Sequence, residues 1–171
     1  FVAKRKGDRQ MTITEISAGE YESLFSPLHV YGDVPFTQLN ADKAEDVDYL
    51  SFADGKVRFG IILGKRDGVL RSPFSAPFGG FSQRGVQNLQ NMEAAVKQLQ
   101  TYAAERRLGI LITLPPLLYD ECQLSKWVSV LIRAGFQPTV DLNYYFSLSR
   151  FPDYQKIIDR SARKNLNRSL K

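Results

Sequence analysis

The pattern with the clearest chemical meaning follows the predicted strand at residues 69–72, where glycines, aromatic residues and one arginine occur close together. The segment reads Phe78-Gly-Gly-Phe-Ser-Gln-Arg-Gly-Val86. Backbone N–H groups of such a loop can face a pyrophosphate when a helix begins directly after it. Gly79 and Gly80 would also let a ligand approach the backbone closely, because they carry no side chain. A tight turn between strand and helix explains the same glycines and is the simpler interpretation, since turns often need a positive φ.

Acyl transfer to an amine needs a general base, a stabiliser of the oxyanion and often a general acid. Tyr119 is the candidate acid, although packing against the neighbouring Pro-Pro loop is the simpler explanation for it. His29 is a candidate base, but a lone loop histidine is more often a surface or hydrogen-bonded residue. Asp120 and Glu121 are adjacent and diverge in direction, so they indicate a helix start. Cys122 has no matched histidine, which argues against a nucleophile.

The C-terminal segment is strongly basic and has helical spacing. Its six cations are Lys156, Arg160, Arg163, Lys164, Arg168 and Lys171. Arg163 and Lys164 lie three and four residues after Arg160 and therefore share a helix face with it. A phosphate group or a tRNA backbone would suit such a face. A solvated helix flank is the usual meaning of a charge run, and it stays open here.

The length and composition of the chain are those of one globular domain. The chain has 171 residues, of which 43% are apolar and 24% charged, and this composition excludes a disordered chain. The net charge of +5 is carried by the ends: residues 1–10 have +3, residues 156–171 have +5 and the remainder has −3. A slightly acidic body weakens a nucleic-acid interpretation. One cysteine and one histidine argue against a disulfide framework and a histidine-based metal site. With no membrane-length apolar run and no signal-peptide pattern, we expect a cytoplasmic protein.

Hydrophobic periodicity predicts the elements that must position these residues. Strands are expected at residues 11–16, 47–52, 57–63, 69–72, 109–114 and 139–148, and the strand at 109–114 is expected to be buried. Helices are expected at residues 18–25, 86–108, 124–134 and 154–171, with a short one near 36–40. The apolar face of the helix at 86–108 is expected to begin with Val86. Asp54-Gly55 and Asp67-Gly68 are tight turns, so the strands that they join are antiparallel. Ser17 is a candidate N-cap, Gly109 and Gly135 are helix-ending glycines, and Trp127 is a core residue. The predicted fold class is α/β (α+β), with a mixed sheet, an antiparallel β-meander and flanking helices.

Three segments carry a resemblance to a known family. They are Tyr49-Leu-Ser-Phe-Ala-Asp-Gly-Lys-Val-Arg-Phe-Gly-Ile-Ile-Leu-Gly64, Ser72-Pro-Phe-Ser-Ala-Pro-Phe-Gly-Gly-Phe81 and Ser161-Ala-Arg-Lys-Asn-Leu-Asn-Arg168. Together with the element order they resemble the FemAB-related group of GNAT-fold acyltransferases, over most of residues 11–171. The resemblance implies a GNAT-like sheet and an N-acyltransferase activity.

The resemblance also implies partners and site residues. FemAB enzymes hold two GNAT-like halves and move an amino acid from aminoacyl-tRNA to an amine of a peptidoglycan precursor. The acyl donor implied here is aminoacyl-tRNA or acetyl-CoA, and the implied partners are tRNA and a phosphate-bearing cell-wall precursor. Arg163 matches the family arginine that helps bind the precursor's diphosphate, and Lys164 lies beside it. The family binds CoA with a motif that reads Arg or Gln, any two residues, Gly, any one residue, and then Gly or Ala. The loop in this chain does not match that order, which argues against CoA binding in this half.

The domain organisation predicted from these points has three parts. Residues 1–10 are an extension that precedes the domain, residues 11–150 form the GNAT-like domain, and residues 151–171 form a basic helix that begins a linker or a second GNAT-like half. Three functions follow as hypotheses. The chain is the N-terminal half of a FemAB-like acyl- or aminoacyltransferase, a stand-alone acetyl-CoA-dependent N-acetyltransferase, or a non-catalytic ligand-binding domain on the GNAT scaffold.

Overall fold

Residues 10–142, 145 and 147–170 are described by the structure, which is a computed structural model. Residues 1–9 lie outside this range, and with them nearly all of the predicted extension. The chain divides into two compact units between Pro138 and Thr139. The second unit contains the basic C-terminal segment.

The first unit combines a six-stranded sheet with four α-helices. The strands are β1 (Thr12–Glu15), β2 (Asp46–Ala53), β3 (Val57–Arg66), β4 (Val69–Ser72), β5 (Phe81–Gln83) and β6 (Gly109–Ile112). The helices are α1 (Ala18–Leu24), α2 (Val34–Leu39), α3 (Leu89–Glu105) and α4 (Glu121–Arg133). Short 3₁₀ turns occupy Val30–Gly32, Ala41–Lys43 and Leu117–Tyr119. The predicted mixed α+β class is confirmed.

The sheet is antiparallel except at one pair of strands. Its order is β1-β2-β3-β4-β6, and β5 pairs with β3. The predicted meander is confirmed, because β2, β3 and β4 are antiparallel neighbours joined by short turns. β4 and β6 are parallel, as the long connection through α3 permits. β3 has ten residues, so its far edge accommodates β4 along one half and β5 along the other.

Two apolar clusters pack against the sheet. The larger one joins the inward side chains of the strands to α3 and α4 and includes Phe52, Phe59, Leu70, Val96, Leu99 and Trp127. The smaller one contains Tyr21, Phe25, Val34 and Ile62 and joins β3 to α1 and α2. Successive strand residues point to opposite faces, which places Ile61 in the larger cluster and Ile62 in the smaller one.

Several local predictions are confirmed. The Ser17 hydroxyl caps α1 by accepting a hydrogen bond from the Glu20 N–H at 3.2 Å. Asp120 caps α4 by accepting from the Gln123 N–H at 3.0 Å, as expected for a helix start. Gly135 adopts a φ of +91° directly after α4. Trp127 is buried in the core with 2% of its surface exposed.

Other local predictions are wrong. Phe81–Gln83 was expected within a loop but forms β5, so Gly79 and Gly80 precede a strand and do not lead into the helix. α3 begins at Leu89, and Val86, expected on its buried face, is 90% exposed. Arg107, with φ +57°, adopts the left-handed conformation that was expected of Gly109. β6 was expected to be buried, yet Leu111 is 47% exposed, because this strand ends the described sheet.

The second unit differs more from its prediction. The prediction of a strand at residues 139–148 is wrong for the residues that the structure describes. Residues 139–142, 145 and 147 form no strand, and a 3₁₀ turn begins at Leu148. Residues 143, 144, 146 and 171 lie outside the described part. The basic helix is two helices, α5 (Tyr154–Ile157) and α6 (Arg160–Ser169). Asp159 separates them because its carboxylate accepts from the Ala162 N–H at 2.9 Å and begins a new helix. In the part of the chain described, no helix is long and apolar enough to span a membrane.

Candidate functional site

A cleft opens where β5 and the segment after β6 diverge. β4 and β6 stay paired as far as Ser72 and Ile112. Two hydrogen bonds then close the pairing: the Thr113 N–H donates to the Ser72 carbonyl, and the Gly79 N–H donates to the Thr113 carbonyl, both at 2.8 Å. Beyond them β5 pairs with β3, and a cavity of about 240 Å³ lies between β5 and the residues that lead into α4. Such an opening between strands is a common place for a ligand.

Aromatic rings form one wall of this cavity. The Trp127 indole stacks on the Phe81 ring with centroids 4.1 Å apart and planes within 6° of parallel. Phe59 meets the same indole edge-on at 5.3 Å. The rest of the lining is apolar with a few uncharged polar groups, and includes Leu114, Leu124, Gln83, Gln123, Ser82 and His29. The wall is therefore mostly apolar, with polar groups at a few points.

His29 and Tyr119, which the sequence offered separately as base and acid, lie in one cluster of rings. Their ring centroids are 5.8 Å apart, although 90 residues separate them. Phe78 contacts both, at 4.9 Å from His29 and 5.3 Å from Tyr119. Tyr31 completes the cluster at 5.1 Å from Phe78. His29 lines the cavity, whereas Tyr119 is not among its lining residues and is connected to it only by the ring contact with His29.

The environment of His29 favours the neutral imidazole. Burial lowers the pKa of His29 from its ordinary value of 6.5, while a hydrogen bond to the backbone of Gly79 and the nearby charge of Asp33 act in the opposite direction. The Nδ1 atom is buried and has no hydrogen-bond partner. A buried nitrogen without a partner is costly, and such atoms are found at sites that await a ligand or a water. His29 is therefore mostly in its neutral form near pH 7.

Gly79 and Gly80 line the cavity, and their N–H groups donate hydrogen bonds to other residues of the protein. The Gly79 N–H is bonded to Thr113, and the Gly80 N–H donates to the Ser72 hydroxyl at 3.0 Å. A Cβ at Gly79 would come within 2.8 Å of the Pro73 nitrogen, and Gly80 has a φ of +98°. Both residues line the cavity, as close approach to a ligand requires. Their N–H groups, however, are not free to hold a pyrophosphate.

A second, smaller cavity of about 20 Å³ lies on the other side of the same turn. Gly79, Gly80 and Ser82 line both cavities. Tyr21 borders the smaller one, and burial raises its pKa, with a hydrogen bond to Ser82 acting in the opposite direction. The space suits one water molecule, which makes it a solvent pocket behind the turn.

Arg163 and Lys164 belong to the second unit and differ in their contacts. Arg163 Nη2 donates to the carbonyl oxygens of Lys156 at 3.4 Å and Ile158 at 3.2 Å, so it holds the turn between α5 and α6. Lys164 has no ion pair within the described part of the chain. Their proposed contact with phosphate stays a prediction, and Lys164 is the freer of the two cations.

Three cavity residues were missed as functional candidates from the sequence: Gln83, Gln123 and Trp127. Trp127 was assigned to the core, which is correct but incomplete, because one side of a core residue can also border a cavity. No spacing signal links Gln83 to Gln123, since they belong to different elements that meet only in the folded protein.

Known proteins give no direct guide to the function of this chain. No family model, no curated protein and no solved structure matches it.

Proposed function

We propose that this chain is an acyltransferase domain of the GNAT type, related to the FemAB group, which transfers an acyl or aminoacyl group to an amine. The observation that carries the proposal is the cleft between β5 and the segment after β6, which His29, Gly79 and Gly80 line and where the Tyr119 ring packs against His29. These residues were the sequence candidates for base, ligand approach and acid. Their convergence from three separate segments supports one site more than three unrelated structural roles.

The proposed step conserves atoms and protons. The amine nitrogen attacks the carbonyl carbon of an acyl thioester or ester, and a C–N bond forms as the C–S or C–O bond breaks. His29 accepts the proton that the amine loses, and Tyr119 donates a proton to the departing thiolate or alkoxide. The proton then returns from His29 to Tyr119 through solvent, which restores both groups for the next cycle.

The donor and acceptor follow from the resemblance and remain proposals. Acetyl-CoA and aminoacyl-tRNA are the candidate donors, and a phosphate-bearing cell-wall precursor is the candidate acceptor. Arg163 and Lys164 are proposed to contact phosphate, with charge-assisted hydrogen bonds supplying the affinity. A second GNAT-like half is proposed as the partner of this domain.

One observation favours a second candidate function, that of a non-catalytic ligand-binding domain. The N–H groups of Gly79 and Gly80 are bonded to Thr113 and Ser72, so this turn presents no pair of free donors for an oxyanion or a pyrophosphate. A domain that binds a ligand in the cleft without chemistry would need no such donors.

Transfer activity separates the two functions. Acetyl-CoA or glycyl-tRNA is mixed with Nα-acetyl-lysine amide, and release of thiol or of uncharged tRNA is measured together with the mass of the acylated amine. We expect Tyr119→Phe and His29→Gln each to lower the rate by about 100-fold or more, as for other general acid–base groups. Tyr31→Phe is the matched control, because Tyr31 lies in the same ring cluster without a proposed proton to transfer. Absence of transfer by the parent protein with both donors, alongside measurable ligand binding, would establish the non-catalytic function.

A further inference from the structure

One cation of the sheet lacks the partner that the other strand cations have. The described strands contain four cationic residues: Arg58, Lys65, Arg66 and Arg71. The first three lie between 2.7 and 3.9 Å from a carboxylate, on Asp54, Glu45 and Asp67 respectively. Arg71, in β4, forms no ion pair and no side-chain hydrogen bond within the part of the chain that the structure describes, and its Nε is buried without a partner.

Arg71 lies on a sheet face that α1 and α2 cover only in part. Its neighbour Leu70 belongs to the larger apolar cluster, so Arg71 points to the opposite face, which is that of Ile62. Its cross-strand neighbours on this face are Gly64 on β3 and Leu111 on β6. Leu111 is 47% exposed, so this part of the face is open to solvent.

The surroundings of Arg71 on this face are apolar. A Cβ at Gly64 would overlap the Phe74 side chain, so Phe74 packs over this glycine next to Arg71. Val69, two residues earlier on β4, points to the same face. The only other charged strand residue beside Arg71 on this face is Arg66, which already has a carboxylate partner. The guanidinium of Arg71 therefore has apolar neighbours and no counter-charge from the adjacent strand positions.

The outer end of this guanidinium is accessible to a ligand. Arg71 as a whole is partly exposed, and of its three guanidinium nitrogens only Nε is buried without a partner. The two Nη groups therefore present their N–H donors to solvent, and a ligand can reach them without displacing Nε from its position. A guanidinium keeps its charge in proteins, and an opposite charge offsets the cost of removing part of it from water.

A carboxylate is the anion that fits these donors best. A guanidinium binds a carboxylate through two parallel N–H···O bonds, and one unpaired cation matches one negative charge. The side chains of Phe74 and Leu111 offer apolar surface to the rest of the ligand. We propose that Arg71, Phe74 and Leu111 form a binding site for a monocarboxylate with an apolar body. None of the three lines the large cavity, so this site is separate from the cleft and does not depend on acyl transfer.

Titration of the whole chain with small probes tests the site. Benzoate has the carboxylate and an apolar ring, benzamide is its uncharged isostere, and inorganic phosphate is an anion without an apolar body. The backbone amide signals of Gly64 and Leu111 in a ¹H–¹⁵N correlation spectrum report occupancy, because these residues flank Arg71. We expect benzoate to shift both signals in a saturable manner. Benzamide should bind at least about tenfold more weakly, since it lacks the charge-assisted hydrogen bonds, and phosphate should also bind more weakly than benzoate.

Variants of Arg71 test the role of the guanidinium. Arg71→Gln should weaken benzoate binding at least about tenfold, and Arg71→Lys should weaken it several-fold, because an ammonium keeps the charge but not the bidentate geometry. Arg84→Gln is the matched control. Arg84 is also an arginine without an ion pair in the described chain, but it is exposed. Its N–H bonds to the Arg58 carbonyl, six residues and about 20 Å along β3 from Gly64.

Three results would overturn the proposed site. They are no saturable shift of the Gly64 and Leu111 signals with benzoate, equal affinities for benzoate and benzamide, or benzoate affinity that is unchanged in Arg71→Gln. Tighter binding of phosphate than of benzoate would overturn the assigned ligand class. Should Arg71→Gln fail to fold, the comparison of benzoate with benzamide in the parent protein decides the question.

Discussion

The Phe81 and Trp127 rings stack in parallel at 4.1 Å and join the shortest strand of the sheet to α4. β5 has three residues and pairs only with β3 among the described strands, so this contact is a large part of what holds it. Aromatic pairs of this kind contribute beyond the area that they bury. The stack therefore maintains both the local core and the wall of the cleft.

Trp127→Ala should lower the free energy of unfolding by about 3–5 kcal/mol, the usual cost of removing a large buried aromatic side chain. Trp127→Phe should cost less, because a smaller ring can still contact Phe81. Urea denaturation followed by circular dichroism measures both, since fluorescence is lost with the indole. Val86→Ala is the control, because replacing this exposed side chain should change the free energy of unfolding by no more than about 0.5 kcal/mol. A Trp127→Ala cost as small as that of the control would show that the stack adds little.

A network of side-chain hydrogen bonds joins β1, β2 and α3. The Tyr102 hydroxyl donates to Asp48 Oδ2 at 3.0 Å and lies 3.4 Å from Glu15 Oε2. Asp48 is only 9% exposed, and burial raises its pKa above 3.8. The hydrogen bond from Tyr102 acts against this shift, whereas the charges of Glu15 and Asp46 add to it. Asp48 therefore binds its proton more tightly in the folded protein than in the unfolded chain.

This raised pKa fixes the direction of a pH effect. The stabilisation from a protonated Asp48 is complete below the unfolded-state pKa and is lost as pH rises through the raised folded-state pKa. Asp48→Asn keeps an acceptor for Tyr102 but cannot ionise. The stability of this variant relative to the parent protein should rise between acid and neutral pH, as measured by denaturation at several pH values. Asp42→Asn, at an exposed position, should show no comparable trend. A difference that falls with pH would contradict the assigned shift.

The two glycines at the ends of β5 should respond differently to substitution. Gly85 has a φ of +65° and open space where a Cβ would lie, so Gly85→Ala should cost only the backbone strain of about 1–2 kcal/mol. Gly80 has a φ of +98°, and its Cβ would lie 3.0 Å from a Leu114 methyl. Gly80→Ala should therefore cost more than Gly85→Ala in thermal or urea unfolding. Equal costs would mean that Leu114 moves aside freely.

The basic helix α6 gives a prediction for phosphate binding. Lys164→Gln should weaken the binding of pyrophosphate several-fold without altering the fold, because Lys164 has no ion pair in the part of the chain described. Arg163→Gln should also disturb the turn that Arg163 holds through the carbonyls of Lys156 and Ile158. Calorimetry measures the first effect, and amide chemical shifts near the turn measure the second. Unchanged pyrophosphate affinity in Lys164→Gln would remove Lys164 from the proposed site.

Features set by neighbouring residues could be predicted from the sequence. Ser17 and Asp120 cap helices because each needs only an N–H three residues further along the chain. The Asp54-Gly55 turn and the alternation on either side of it determine the antiparallel pairing of β2 and β3. The buried face of α3 likewise follows from residues three and four apart, although its first turn lies three residues later than expected.

Features set by distant residues could be decided only by the tertiary structure. Phe81–Gln83 is too short to show alternation, and it is a strand because β3 extends past the end of β4 and offers a free edge. The segment at residues 139–142 has strand-like alternation but is not a strand, since pairing needs a neighbour that the local sequence cannot supply. His29 and Tyr119 were recognisable as residue types that can move protons. Their meeting across 90 residues, and the uncharged cavity beside them, depend on how the sheet opens between β5 and β6, which no local pattern encodes.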